Sequence, residues 1–144
     1  EDSLLKDHQK NMTKVVHEKT PHAKEARLVY QSLAYRGGKT LVLVKLISGR
    51  SHQIRVQFSD RGYPLLGDRR YGEQKSGTKQ KSKSADDIAL FGCAIAWEHV
   101  TLKETKSVVV LPKGGLWDPL LDDKESIREK IQRSLGRECW PWNV

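Results

Sequence analysis

Residues 47–58 read ISGRSHQIRVQF, and this stretch decides the fold because two structural periods meet inside it. Just upstream, residues 40–47 (TLVLVKLI) carry the β-branched and aliphatic side chains of a strand, and Leu41 to Val44 is apolar on both faces, as in a strand covered from each side. Downstream, Ser48 or Ser51 can cap a helix and Gly62 with Pro64 can stop it, so the spacing predicts a helix over about 51–61. On that helix Ile54 and Phe58 lie four positions apart and are expected to face the core, while His52, Arg55 and Ser59 share the neighbouring stripe. Arg55 is thereby placed beside the buried face. Gly49 permits the tight turn from strand into helix, and Arg50 stands near the helix's amino end, where free backbone amides favour phosphate.

Moving outward, residues 27–35 (RLVYQSLAY) form a second strand-like run, separated from the first by Arg36-Gly37-Gly38-Lys39. Two glycines can take the positive φ angles of a tight turn, which predicts an antiparallel hairpin. Residues 72–87 contain no large apolar side chain to offset the entropy of ordering, and a mobile loop is expected there. Ile88 to Trp97 reads as a further strand, and residues 100–102 with 107–111 as another hairpin. Asp122 or Asp123 is expected to cap a helix carrying Ile127, Ile131 and Leu135 on one face, with Gly136 as its stop and Trp140 and Trp142 folding back onto it. The fold class expected is α+β: a mainly antiparallel sheet with flanking helices. Gly114, Gly115 and Pro119 mark a boundary between residues 1–113 and a helical carboxy-terminal appendage, 114–144.

The composition bounds the partners. A chain of 144 residues holds one core, and its 37% hydrophobic and 31% charged residues contain no apolar run of the ~20 residues that span a bilayer, so no membrane partner is expected. Cys93 and Cys139 lie far apart with no CxxC pattern, which argues for a reduced, cytoplasmic setting and against a zinc site. The five histidines form no helical HxxxH pair, so no metal is expected. The only methionine is Met12 and the chain opens on Glu1, so a segment is expected upstream. Twenty-six Lys and Arg against 18 acidic residues give a formal charge of +8, which favours polyanions through counterion release and makes nucleic acid the leading partner class.

The segment ISGRSHQIRVQF followed by GYPLLGDRRYG (62–72) resembles the RluA-type pseudouridine synthases, whose carboxy-terminal half carries GR(S/T)HQ(I/L)RVH and then G(H/Y)P(I/L)xGDxxYG. Weaker similarity runs from about Ala23 to Pro112. The resemblance implies that residues 1–113 are the carboxy-terminal part of that family's catalytic domain. It also implies that the intact protein flips a uridine out of ribosomal or transfer RNA, cleaves its glycosidic bond and reattaches the base through carbon 5, with no cofactor. The chemistry needs an ionised carboxylate, and an arginine beside it keeps it ionised by lowering its pKa.

The arginine that follows HisGlnIle has that partner role in the family, and it carries over to Arg55, the expected catalytic residue. Arg50, Arg69 and Arg70 are the expected RNA contacts, with Lys75, Lys79, Lys81 and Lys83 able to touch phosphates. His52 and Gln53 can hydrogen-bond to nucleotide or backbone. Leu90 matches the family's apolar wall against the uracil, although Phe91 and Gly92 stand where the family has histidine and alanine. The family's nucleophile belongs to an upstream RLDxxTSG motif, and no ArgLeuAsp triplet occurs around any of the nine aspartates. Asp68 is therefore expected to cap backbone amides in its turn rather than to react. The missing aspartate makes the amino-terminal half of the same enzyme an expected partner. The alternative readings are a noncatalytic RNA-binding module, or a protein-interaction domain whose charge is incidental.

Overall fold

The computed structural model describes residues 1–72 and 88–135. Beyond Gly72 the expected 72–87 loop lies outside the described residues, as do Gly136, Trp140 and Trp142. Seven strands and three α-helices appear among the described residues: β1 (Asp2–Asp7), β2 (Met12–Val16), β3 (Lys24–Ala26), β4 (Leu28–Arg36), β5 (Lys39–Leu46), α1 (Gln53–Asp60), α2 (Arg69–Gly72), β6 (Ala94–Glu98), β7 (Thr105–Val109) and α3 (Lys124–Leu135). The mixture of helices with antiparallel sheets is that of an α+β protein. The strands divide among three small sheets, ordered β2-β1-β3, β4-β5 and β6-β7, where the sequence suggested one principal sheet. Arg27 separates β3 from β4, and its carbonyl accepts the amides of Ile47 and Ser48 beyond β5.

The chain forms two compact units. The first comprises Glu1–Tyr30 and Val44–Leu90, the second Gln31–Leu43 and Phe91–Val144. In the first, β1 pairs antiparallel with both β2 and β3, with Leu4 opposite Val15 and Lys24, and α1 packs on β2 and α2. Leu4, Ala26, Val56 and Tyr71 form its core, with Met12 and Val15 packed at the edge.

The helix over 51–61 is present as α1, but its buried residues are Gln53, Val56, Gln57 and Ser59, whereas Ile54 and Phe58 are half-buried. Of the buried four only Val56 is apolar. Hydrogen bonds offset much of the cost of burying the others: Gln57 Nε2 donates to Asp2 (2.6 Å) and Ser59 Oγ to the Tyr71 carbonyl (2.5 Å), while Gln57 Oε1 is left without a partner among the described residues. Phe58 meets Tyr30 edge to face, ring centroids 5.4 Å apart. Arg61, just past the helix, forms a two-pronged pair with Asp2 (2.8 and 3.1 Å) that ties the helix end to β1.

The second unit contains the turn of the β4–β5 hairpin. Gly37 and Gly38 take φ of +56° and +72°, and a two-residue connection of this kind joins antiparallel strands. Leu33, Leu41 and Leu43 pack with Leu111, Leu120, Leu121, Ile127 and Ile131. Strand β6 begins at Ala94 rather than Ile88, and residues 100–102 form the turn to β7 instead of a strand, closed by the His99 amide donating to the Glu104 carbonyl (2.8 Å). Val100 and Thr101 have strand propensity, but the chain must reverse there for Ala94 to pair with Val109. Helix α3 starts as expected: Asp123 Oδ1 accepts the Ser126 amide at 2.9 Å, and Ile127 and Ile131 are buried.

Candidate functional site

The turn into α1 is organised by a glutamine rather than a serine. Neither Ser48 nor Ser51 caps the helix with its side chain. Gln53, buried, accepts at Oε1 from the Arg50 amide (2.9 Å) and from Ser48 Oγ (3.0 Å), and its Nε2 donates to the Arg27 carbonyl (3.0 Å). Ser48 Oγ in turn accepts the Arg27 amide at 2.8 Å. One glutamine therefore joins the strand end, the turn and the helix start, which fixes where α1 points. His52 precedes the helix in the left-handed region, φ 55°, a conformation that costs a non-glycine residue about a kcal/mol or more and persists only when its surroundings hold it.

What holds His52 is Tyr71. The His52 Nδ1 and Tyr71 Oη atoms lie 2.8 Å apart, and the same hydroxyl accepts the buried Thr13 amide at 2.9 Å. When the hydroxyl donates its proton to the imidazole, His52 is neutral with its own proton on Nε2. Burial, followed by the positive charges of Arg55, Arg70 and Lys6, holds the His52 pKa below its ordinary value despite Asp68, in keeping with a neutral ring.

Three residues on from His52, Arg55 meets Asp68. Its Nε donates to Asp68 Oδ2 (2.9 Å) and its Nη2 to Oδ1 (2.8 Å), while the guanidinium lies 5.1 Å from the centre of the Tyr71 ring. The Arg55 side chain keeps 23% of its surface exposed and that of Asp68 none. Asp68 Oδ1 also accepts the amides of Arg70 and Tyr71, each at 3.0 Å, so the carboxylate caps α2 as the sequence suggested. Burial pushes the Asp68 carboxyl up, but the Arg55 hydrogen bond, the two amides and the Arg55 charge outweigh it and hold the pKa below the usual value. The hydrogen bond to Asp68 leads in raising the Arg55 pKa, against burial, so the guanidinium remains a cation.

The site residues expected from sequence divide into two groups. Arg55 and His52 enter one hydrogen-bonded cluster with Asp68 and Tyr71, whereas Gln53 belongs to the neighbouring turn network of Ser48, Arg50 and Arg27. Arg50, Arg69 and Arg70 stand exposed around it; Arg50 Nε donates to the Glu25 carbonyl (2.8 Å) and Arg70 Nη1 to the Asn11 carbonyl (2.9 Å). Leu90 lies outside this cluster, 42% exposed, next to Ala89, whose amide donates to the Leu66 carbonyl. Sequence reasoning missed Asp68 as the partner of Arg55 and Tyr71 as the residue joining His52 to β2. The signal available was the Asp68-x-x-Tyr71 spacing, which sets an amino cap and its third helical residue on one turn.

Tyr71→Phe is expected to destabilise the first unit by about 1–3 kcal/mol, because the buried Thr13 amide loses its acceptor. Urea denaturation of the two proteins checks this, and an unchanged midpoint would remove Tyr71 from its joining role.

Comparison with known proteins defines the class. The profile of the RNA pseudouridylate synthase family matches residues 2–60, which include β1 to β5 and α1. An uncharacterized RNA pseudouridine synthase of Synechocystis is 47% identical over 51 residues, 35% of this chain and 18% of that protein. Pseudouridylate synthase RPUSD2 of Mus musculus is 30% identical over 118 residues, 80% of this chain and 21% of that protein. Ribosomal large subunit pseudouridine synthase C of Haemophilus ducreyi is 38% identical over 60 residues, 42% of this chain and 19% of that protein. No solved structure matches the chain. The chain belongs to the RluA-type pseudouridine synthases, and it spans only a small part of the length of these relatives.

Proposed function

We propose that this chain is the part of an RNA uridine-to-pseudouridine isomerase that supplies the arginine partner, Arg55, and an apolar wall, Leu90, to an active site whose nucleophilic aspartate lies outside its 144 residues. The observation that carries the reading is the state of Arg55. It is a partly exposed guanidinium whose Nε edge is taken by Asp68, while Nη1 has no acceptor among the described residues. Such a group can meet a second anion without rearranging.

In the reaction the bond from C1′ to N1 of uracil breaks, a bond from C1′ to C5 forms, the C5 proton leaves and N1 gains one. The isomerisation is therefore balanced without oxidant, reductant or added group. The carboxylate that drives it must be ionised, and a cation held at its edge favours that form. Arg50, Arg69 and Arg70, exposed near the same helix, grip backbone phosphates of a ribosomal or transfer RNA in the cytoplasm; Gln53 fixes the turn from which Arg50 projects, and His52 holds Tyr71 of the short helix that carries Arg69 and Arg70. The amino-terminal half of the same enzyme completes the site. Among the described residues no group of three or more His, Cys, Asp or Glu side chains is placed to hold a metal ion. Among those residues, too, no helix is long and apolar enough to cross a membrane.

The test uses RNA labelled at uridine. The full-length protein is expected to form pseudouridine and the 144-residue chain alone to form none, while Arg50→Ala in the full-length protein weakens RNA binding and lowers the slope of log K against log salt by about 1. Turnover by the isolated chain would overturn the division of roles. RNA binding without turnover by the full-length protein would favour a noncatalytic RNA-binding module.

A further inference from the structure

We infer that Asp68 is the positioning residue of Arg55, and that one guanidinium serves two carboxylates: Asp68 along its Nε edge and the reacting aspartate at Nη1. This rests on the reading just given. An arginine side chain has many rotamers, and a cation that must meet a developing site loses that freedom before it can act. In this chain the loss is incurred on folding. Asp68 grips Nε and Nη2 at 2.9 and 2.8 Å, and the Tyr71 ring lies against the guanidinium plane.

Asp68 is itself immobile. Its side chain is fully buried, and its Oδ1 is fixed by the Arg70 and Tyr71 amides as well as by Arg55. The clamp is thus anchored to the first turn of α2, and not to a second mobile side chain. Because a guanidinium is planar, fixing one edge fixes the direction of the other, which a lysine could not reproduce.

The experiment is a double-mutant cycle in the full-length protein, read by single-turnover pseudouridine formation and by RNA binding. Asp68→Asn keeps the shape but faces Arg55 Nε with an amide donor or leaves it with a neutral oxygen. It is expected to lower the chemical rate about 10–100-fold with RNA affinity changed less than about twofold. In an Arg55→Ala background the same change is expected to have no further effect, because there is no guanidinium left to aim. Asp68→Glu, which restores charge at a different reach, is expected to recover part of the rate. Equal losses in both backgrounds mean that Asp68 serves the fold alone and overturn the inference. An inactive wild-type protein would instead overturn the functional reading on which it rests.

Should Asp68→Asn not fold, the wild-type chain decides by nitrogen-15 NMR. The Arg55 Nε proton is expected to exchange with water at least tenfold more slowly than that of an exposed arginine. Exchange at the exposed rate means that the clamp is not held in solution.

Discussion

Arg55→Ala in the full-length protein is expected to reduce pseudouridine formation about 10³-fold or more while leaving RNA affinity within a few fold of wild type. The magnitude follows from removing a preorganised charge at a carboxylate that must stay ionised, for which losses of about 10²–10³ in rate are usual, together with the loss of its orientation. Arg55→Lys keeps the charge but cannot hold Asp68 along one edge and a second anion at the other, so it is expected to recover little of the rate. Single-turnover kinetics beside a binding titration separate chemistry from affinity. Unchanged chemistry in Arg55→Ala would take the central residue out of the proposed mechanism.

The largest effect on stability is expected from Asp68→Ala. This change leaves Arg55 without its partner, and the amides of Arg70 and Tyr71 without their acceptor. Breaking a buried pair from one side costs about 3–5 kcal/mol, and because Arg55 can turn part of its surface to water the lower end, about 3 kcal/mol, applies. For a chain of this size that corresponds to a fall in Tm on the order of 10 °C. The same pair has a pH signature. The Asp68 pKa is lowered on folding, so its contribution is complete above the unfolded value of 3.8 and is lost as pH falls through the lower folded value. His52 acts earlier: its folded pKa is also lowered, so the unfolded chain gains its proton first and stability declines as pH drops below about 6.5. Thermal melts from pH 8 to pH 3 are expected to show both steps, and the acid step is expected to shrink in Asp68→Ala, the remainder coming from Asp2, whose pKa is likewise lowered by Arg61 and Gln57.

Much of this arrangement was legible in the residues. The hairpin with glycines at 37 and 38, the helix after Gly49 and the final helix with Ile127 and Ile131 inward all follow from period and turn chemistry. Strands β1 to β3 were not legible, because DSLLKD, MTKVV and KEA are short, carry charge and pair with one another only when the chain brings them together. The inner face of α1 was misjudged for a related reason. Periodicity counts apolar residues, whereas Gln53 and Gln57 are buried by virtue of hydrogen bonds to Arg27, Asp2 and Ala26, which no local pattern records. At the site, the motif picked out Arg55 and the capping role of Asp68, but the bond between them spans two elements and emerges only from their packing.

The Tyr71 hydroxyl reaches back to the Thr13 amide across 58 positions of chain. Closing a loop of that length is entropically costly and is compensated only when the flanking elements are all in place, so this contact belongs to the late, cooperative stage of folding. Because the same tyrosine lies under Arg55 and carries the cap that Asp68 satisfies, a half-folded copy offers no aimed cation. A half-folded molecule would thus meet a polyanion through diffuse charge alone, without the directed N–H groups that the completed clamp presents.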